Sequence, residues 1–229
     1  LDTVKQLYNL IWFCKKVSIP FDVYAFTNEW KRREQDASGR WSPVDNELPY
    51  EPQEYDLRVE EDFSLMNLLT SNVRTNDLEH QLKNVWRIAS SFVNSYGRRY
   101  SYPTRLCLSG TPLNETLICL HKLLPKFQKD NNVEKVQCII LTDGEANSMP
   151  YHVEVKDYFN SNDYKMGLRG INPSHCSLRD RSLGKIYRFG YSWWQFTDAL
   201  IKNLQDKFPS SNFIGIRVLP PREGSNILR

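Results

Sequence analysis

Long hydrophobic runs are missing from this sequence, and with them any membrane-spanning segment; nor does a charged-then-apolar leader open it. The motifs that name many enzymes are missing too. There is no Walker A loop, no Gly-x-Gly-x-x-Gly, no Gly-x-Ser-x-Gly elbow and no His-Ser or His-Cys context for a nucleophile. Charge of one sign is also lacking: 30 Lys and Arg stand against 27 Asp and Glu, a net +3 that creates no field for nucleic acid or a membrane. The short clusters Lys31-Arg32-Arg33 and Arg98-Arg99 read as solvated loop charge. Cysteine follows no pattern. Cys14, Cys107, Cys119, Cys138 and Cys176 are odd in number, scattered and mostly set in apolar runs, which fits free thiols in a reducing cytoplasm. None has Cys-x-x-Cys spacing, and His80, His121, His152 and His175 form no His-Glu-x-x-His, so zinc has no candidate site.

What is present is an alternation of helical and strand patterns. Val4, Leu7, Tyr8, Ile11 and Trp12 recur at helical spacing, and the loop around Ser18-Ile19-Pro20 stops that helix. The β-branched and aromatic run 21–26 predicts a strand opening into the polar Thr27-Asn28-Glu29. Residues 30 to about 56 turn polar and hold Pro43, Pro49, Pro52 and Gly39, the composition of a long loop or insertion. Residues 57–63 alternate weakly as an edge strand would, while Phe63, Met66, Leu68 and Leu69 fit the start of a helix; both readings stay open. A helix is expected over 77–96, with Leu78, Leu82, Val85, Ile88, Ala89, Phe92 and Val93 on one face and Asp77 as N-cap.

A further helix carries Leu113, Leu117, Leu120 and Leu124, and an apolar strand over 136–141 follows it. Residues 148 to about 190 show no sustained period and read as a second insertion, with a short hairpin near Ile186-Tyr187-Arg188-Phe189. Trp194, Ala199, Leu200 and Leu204 outline a last helix that Pro209 ends, and 213–219 is a last strand. The aromatic group Tyr187, Phe189, Tyr191, Trp193 and Trp194 reads as core beneath the insertion or as an interface anchor. The expected fold is α/β: one mostly parallel, Rossmann-like sheet with helices on both faces, in a single domain of 229 residues with insertions at about 30–56 and 148–190. Leu1-Asp2-Thr3-Val4 enters a helical pattern with no lead-in, so the chain is expected to start inside a longer protein, N-terminally truncated.

Two segments carry candidate chemistry. Leu108-Ser109-Gly110-Thr111-Pro112-Leu113 puts a hydroxyl at a tight glycine turn before a helix, and Leu141-Thr142-Asp143-Gly144-Glu145 puts a carboxylate at the end of a buried strand. Thr111 and Asp143 offer hard oxygen donors of the type Mg²⁺ prefers. Each segment also has a plain reading, as an N-cap followed by proline and as a common turn. Ser109, Gly110, Gly144 and Glu145 are candidates to shape or support the loops, and Asn28 to border the same crevice.

Gly110-Thr111-Pro112-Leu113, followed one helix later by a strand ending Thr142-Asp143-Gly144, resembles the second and third loops of a von Willebrand factor A (VWA) domain. The resemblance covers the first helix through Phe26, residues 106–147 and the final helix and strand. It implies a metal-ion-dependent adhesion site for Mg²⁺ or Mn²⁺ with Thr111 and Asp143 as ligands. The family's Asp-x-Ser-x-Ser element is absent, since Asp2-Thr3 does not supply it, and would lie just before Leu1. Within the family the chain looks most like VWA proteins of tailed phages and cobalt-chelatase accessory (CobT-like) subunits. That resemblance implies a non-catalytic adaptor, working beside an AAA+ ATPase of the MoxR or CobS type in a cytoplasm, that of a phage-infected host included. Competing readings are a structural virion or scaffold component with a vestigial metal site, and a Mg-dependent hydrolase.

Overall fold

The computed structural model describes residues 2–29, 33–35, 39–43, 50–60, 62–93, 106, 109–142, 144–156, 164–192 and 194–217. The first helix, α1, spans Asp2–Lys16, and Ser18 in the left-handed region (φ 56) turns the chain out of it. Strand β1 follows at Asp22–Asn28. Its partner is β4, Phe63–Thr70, which runs antiparallel from Asp22↔Thr70 to Asn28↔Phe63 with an irregularity between Val23 and Tyr24. The segment left open between strand and helix is therefore a strand from Phe63 onward, and Leu57 makes only an isolated bridge to Tyr151. Within the first expected insertion, β2 (Arg33–Gln35) and β3 (Trp41–Pro43) form a small antiparallel pair.

Helix α2, Thr75–Val93, starts two positions before the expected cap, so Asp77 lies in its first turn and faces the N-terminal end of the helix dipole. Helix α3, Leu113–Asn131, ends where Asn132 adopts the left-handed conformation and donates its N–H to the last turn. Strand β5, Val136–Thr142, pairs in parallel with β10, Ser211–Arg217, from Ser211↔Val136 to Arg217↔Thr142. Between them the second expected insertion folds as two antiparallel pairs: β6 (Pro150–Lys156) with β7 (Tyr164–Gly170), and β8 (Ser177–Asp180) with β9 (Lys185–Arg188). Helix α4, Gln195–Lys207, then returns the chain to β10.

Two apolar clusters order these elements. Ile11, Leu69 and Val85 join α1, β4 and α2, with Phe21 and Val23 of the β1 region packed against them. Leu113, Leu117, Phe196, Leu200 and Leu204 join α3 to α4, and Phe26, Ile140 and Phe213 bring β1, β5 and β10 onto the same layer. Leu117 and Leu204 are wholly buried, and a fully buried leucine contributes about 1.5–3 kcal/mol relative to an exposed one. Strand β1 thus touches both clusters, the first through Val23 and the second through Phe26.

The fold is mixed α/β. The described strands pair two by two rather than as one sheet, and only β5 with β10 is parallel. Among the described residues, no helix is long and apolar enough to cross a membrane. Cys14, Cys119, Cys138 and Cys176 are free thiols, and burial pushes Cys138 up to about 11; Cys107 lies outside the described residues.

Candidate functional site: two loops at the ends of β1 and β5

The loop before α3 is fastened to the end of β1. Thr27, fully buried, accepts the Ser109 N–H at 2.8 Å and donates its hydroxyl to the Ser109 carbonyl at 3.0 Å, and the Asn28 N–H reaches that carbonyl at 2.8 Å. Gly110 makes the turn at φ +67, and a Cβ there would stand 2.4 Å from Asn28 Oδ1. Only glycine fits both the dihedral and the space.

The loop after β5 is fastened to the same place. The Thr111 carbonyl accepts the N–H of Leu113 at 2.8 Å and that of Asn147 at 2.9 Å. Gly144 lies so near that a Cβ on it would meet Thr111 Oγ1 at 2.7 Å. Thr142 shapes this turn from within, its hydroxyl lying 3.3 Å from the Gly144 N–H and 3.1 Å from the Gly144 carbonyl. Asp143 itself lies outside the described residues. Thr111 is not the cap of α3: Pro112 occupies that position and no side chain caps it. Among the described residues Thr111 Oγ1 makes no hydrogen bond, so the plain N-cap reading of this threonine does not apply.

A relay of polar side chains runs beneath the loops. Asn28 Nδ2 donates to Asp62 Oδ1 at 3.1 Å, Asn147 Nδ2 to Asn28 Oδ1 at 3.2 Å, and Asn114 Nδ2 to the Asn147 carbonyl at 2.8 Å. Thr197 of α4 closes it, donating to Asn114 Oδ1 at 2.8 Å. Asn114 is buried, so its bonds to Asn147 and Thr197 spare a desolvated amide the cost of unmet partners. Asn28 acts as a junction between β1 and both loops.

Glu115, in the first turn of α3, is 1% exposed, and among the described residues its Oε2 has no hydrogen-bond partner. Burial raises its pKa above the ordinary carboxylate value, and the nearby charges of Glu60 and Asp62 push the same way. Glu145 faces outward instead. Its carboxylate lies 3.8 Å from Arg217, an exposed pair that contributes little to stability. Ser109 is exposed and serves the loop through its backbone.

The sequence-derived residues therefore divide. Thr111, Gly110, Gly144, Ser109 and Asn28 are brought together, Glu145 sits at the rim, and Asp143 is flanked by placed neighbours on both sides. Thr27, Asn114, Asn147, Thr197 and Glu115 were not singled out by sequence. Their only signal is polar residues directly before or inside apolar helix positions, Asn114-Glu115-Thr116 between Leu113 and Leu117 being the clearest. The aromatic group also splits: Tyr187 and Phe189 are core, Tyr191 and Trp194 are exposed, and Trp193 lies outside the described residues.

As a cation site the described donors are few. Thr111 supplies one neutral oxygen, Asn28 Oδ1 is already bonded to Asn147, and no group of three or more His, Cys, Asp or Glu among the described residues is placed to hold a metal. A hydroxyl with one carboxylate would leave most of a Mg²⁺ shell to water or to another chain. No known family matches this chain, and neither a curated protein nor a solved structure does.

Proposed function

We propose that this chain is a VWA-like protein-interaction domain that captures a partner through a divalent ion, Mg²⁺ or Mn²⁺, and is itself non-catalytic. The observation that supports this is the meeting of the loops at the carboxyl ends of β1 and β5, with the Thr111 side chain against the residue that follows Asp143. In α/β sheets ligands bind in the crevice beyond the carboxyl ends of the strands. Thr111 and Asp143 would hold the ion, and a carboxylate of the partner would complete its shell. The supports found around them, Asn28, Asn147, Asn114 and Gly144, would fix the loops so that binding costs little reordering.

The finer fold reading belongs to the same proposal. β1 pairs on one edge with β4 and β5 on one edge with β10, while Phe26 and Ile140 pack on one layer of helices. A strand running between β1 and β5 would join the pairs into a mostly parallel Rossmann-like sheet. Its carboxyl end would arrive beside Thr111 and Gly144, the place where an Asp-x-Ser-x-Ser element adds hydroxyl and carboxylate ligands. The partner we favour, from the resemblance to phage VWA and CobT-like proteins, is an AAA+ ATPase of the MoxR or CobS type.

The test is capture of an AAA+ partner from the native source, with Mg²⁺ and with EDTA, by the protein and by its Asp143→Ala and Thr111→Ala variants. Loss of capture in EDTA and in both variants, with folding retained, is the expected result. Equal capture in EDTA overturns the metal-bridged reading. Recovery of virion proteins without an ATPase puts a structural component in its place, and Mg²⁺-dependent turnover lost in Asp143→Ala would make the chain a hydrolase.

A further inference from the structure

The second insertion and α4 enclose a groove of about 390 Å³ that the loop site does not use. Lys185, Ile186, Tyr187 and Arg188 line it from β9, and Asp198 and Lys202 from α4. Successive side chains of a strand point to opposite faces, so consecutive residues share a groove only where the edge of the strand forms its wall. Among the described residues β9 pairs with β8 alone, which leaves that edge with unpaired backbone donors and acceptors.

The charge along this edge is selective. Asp206, which also lines the groove, is taken up by the Tyr187 hydroxyl at 2.8 Å and by Lys185 at 3.0 Å, and both hold its carboxyl below the usual range. Arg188 and Lys202 are exposed and face the groove with Asp198 as the remaining acid. Cations on an edge strand repel most would-be strands. An acidic strand is the one they attract.

A turn bearing exposed aromatics adjoins the groove at Gly190 and Gln195, which line it. The Gln195 N–H donates to the Ser192 carbonyl at 3.1 Å, and the Ser192 N–H donates to Gln195 Oε1 at 3.2 Å. Gly190 admits that side chain, since a Cβ would stand 2.5 Å from Gln195 Oε1. The turn so fixed presents Tyr191, 92% exposed, and Trp194, 53% exposed. Aromatics held on a fixed turn bind at low entropy cost.

We propose that this groove docks an extended acidic segment of a partner protein, which adds as a strand to the free edge of β9 and rests an apolar side chain on Tyr191 and Trp194. This is β-augmentation, in which backbone bonds give affinity and charge gives selectivity. It does not depend on the metal reading. The test uses a fluorescent peptide of alternating Glu and Val ending in Leu, and its Lys-Val counterpart, with amide spectra recorded on isotope-labelled protein.

The acidic peptide is expected to bind at least about tenfold tighter than the basic one, to shift the amides of 185–188, and to bind equally in EDTA. Arg188→Glu with Lys202→Glu should reverse the preference, and Tyr191→Ala should weaken binding without altering it, both at unchanged melting temperature. Absence of binding, equal binding of the two peptides, or amide shifts confined to other elements overturns the proposal. Loss of binding in EDTA would overturn its independence from the ion, whereas failure of the metal-dependent capture above leaves this result intact.

Discussion

Gly144 and Thr111 meet so closely that a Cβ on the glycine would lie 2.7 Å from the threonine hydroxyl oxygen. Replacing Gly144 by Ala therefore turns or displaces the Thr111 side chain without opening a cavity. The expected outcome is loss of metal-dependent capture with a stability change within about 1 kcal/mol. Gly110→Ala should behave differently, because φ +67 and a contact of 2.4 Å with Asn28 resist it together. A loss of about 1–3 kcal/mol in urea denaturation is expected there.

Asn114 links α4 to the loop after β5, since it bonds both Thr197 and the Asn147 carbonyl. Asn114→Ala should cost about 1–3 kcal/mol, as it strips partners from buried groups. Thr197→Val should cost less, and the pair should be non-additive by about 0.5 kcal/mol or more in a double-mutant cycle. Strict additivity would mean that the two side chains do not share a bond in solution.

Glu115 makes stability depend on pH. Its pKa is raised in the folded state, so folding favours the protonated form; that contribution is full below the unfolded value, about 4.3, and is lost as pH rises through the higher folded value. Glu115→Gln keeps the shape and removes the titration. Its urea midpoint should decline less than the parent's between acid and neutral pH, and a parallel decline in both proteins would rule this carboxyl out.

His152 works in the opposite sense. It is buried, its Nε2 lies 3.3 Å from the Tyr50 hydroxyl, and burial followed by the charge of Arg58 lowers its pKa, with Asp56 opposing them. A lowered base favours the neutral form in the fold, so its contribution is present above about 6.5 and is lost as pH falls through the folded value. The imidazole NMR titration should have its midpoint below that of a free histidine, and His152→Phe should flatten the acid limb of the stability curve.

The elements best read from sequence are those whose period is unambiguous. Val4, Leu7, Tyr8 and Ile11 give α1, Leu113, Leu117 and Leu124 give α3, and the short apolar runs give β1, β5 and β10. Strand β4 was not legible because Leu65-Met66-Asn67-Leu68-Leu69 is apolar enough for a buried helix or a strand, and only its pairing with β1 decides between them. The hairpin expected near Ile186–Phe189 is the pair β8–β9, whereas β6–β7 sits in polar sequence whose alternation is too weak to see. At the site, a glycine turn marks Thr111 and a strand end marks Asp143. Thr27, Asn114 and Asn147 matter through bonds to distant positions, such as Thr27 with Ser109 and Asn114 with Thr197, and local pattern carries no trace of those.

The separation of the apolar residues into two clusters has a thermodynamic consequence. Ile11, Leu69 and Val85 hold α1, α2, β1 and β4, whereas Leu117, Leu200 and Leu204 hold α3, α4, β5 and β10, and Phe26, the bonds of Thr27 and Asn28 to Ser109 and the Asn28 relay bridge them. Each cluster then forms a cooperative unit with its own free energy of opening, and amide hydrogens of β1 and β4 should exchange at a rate unlike those of β5 and β10. Heating this chain should melt one unit before the other, as a broad or doubled calorimetric transition rather than a single two-state peak.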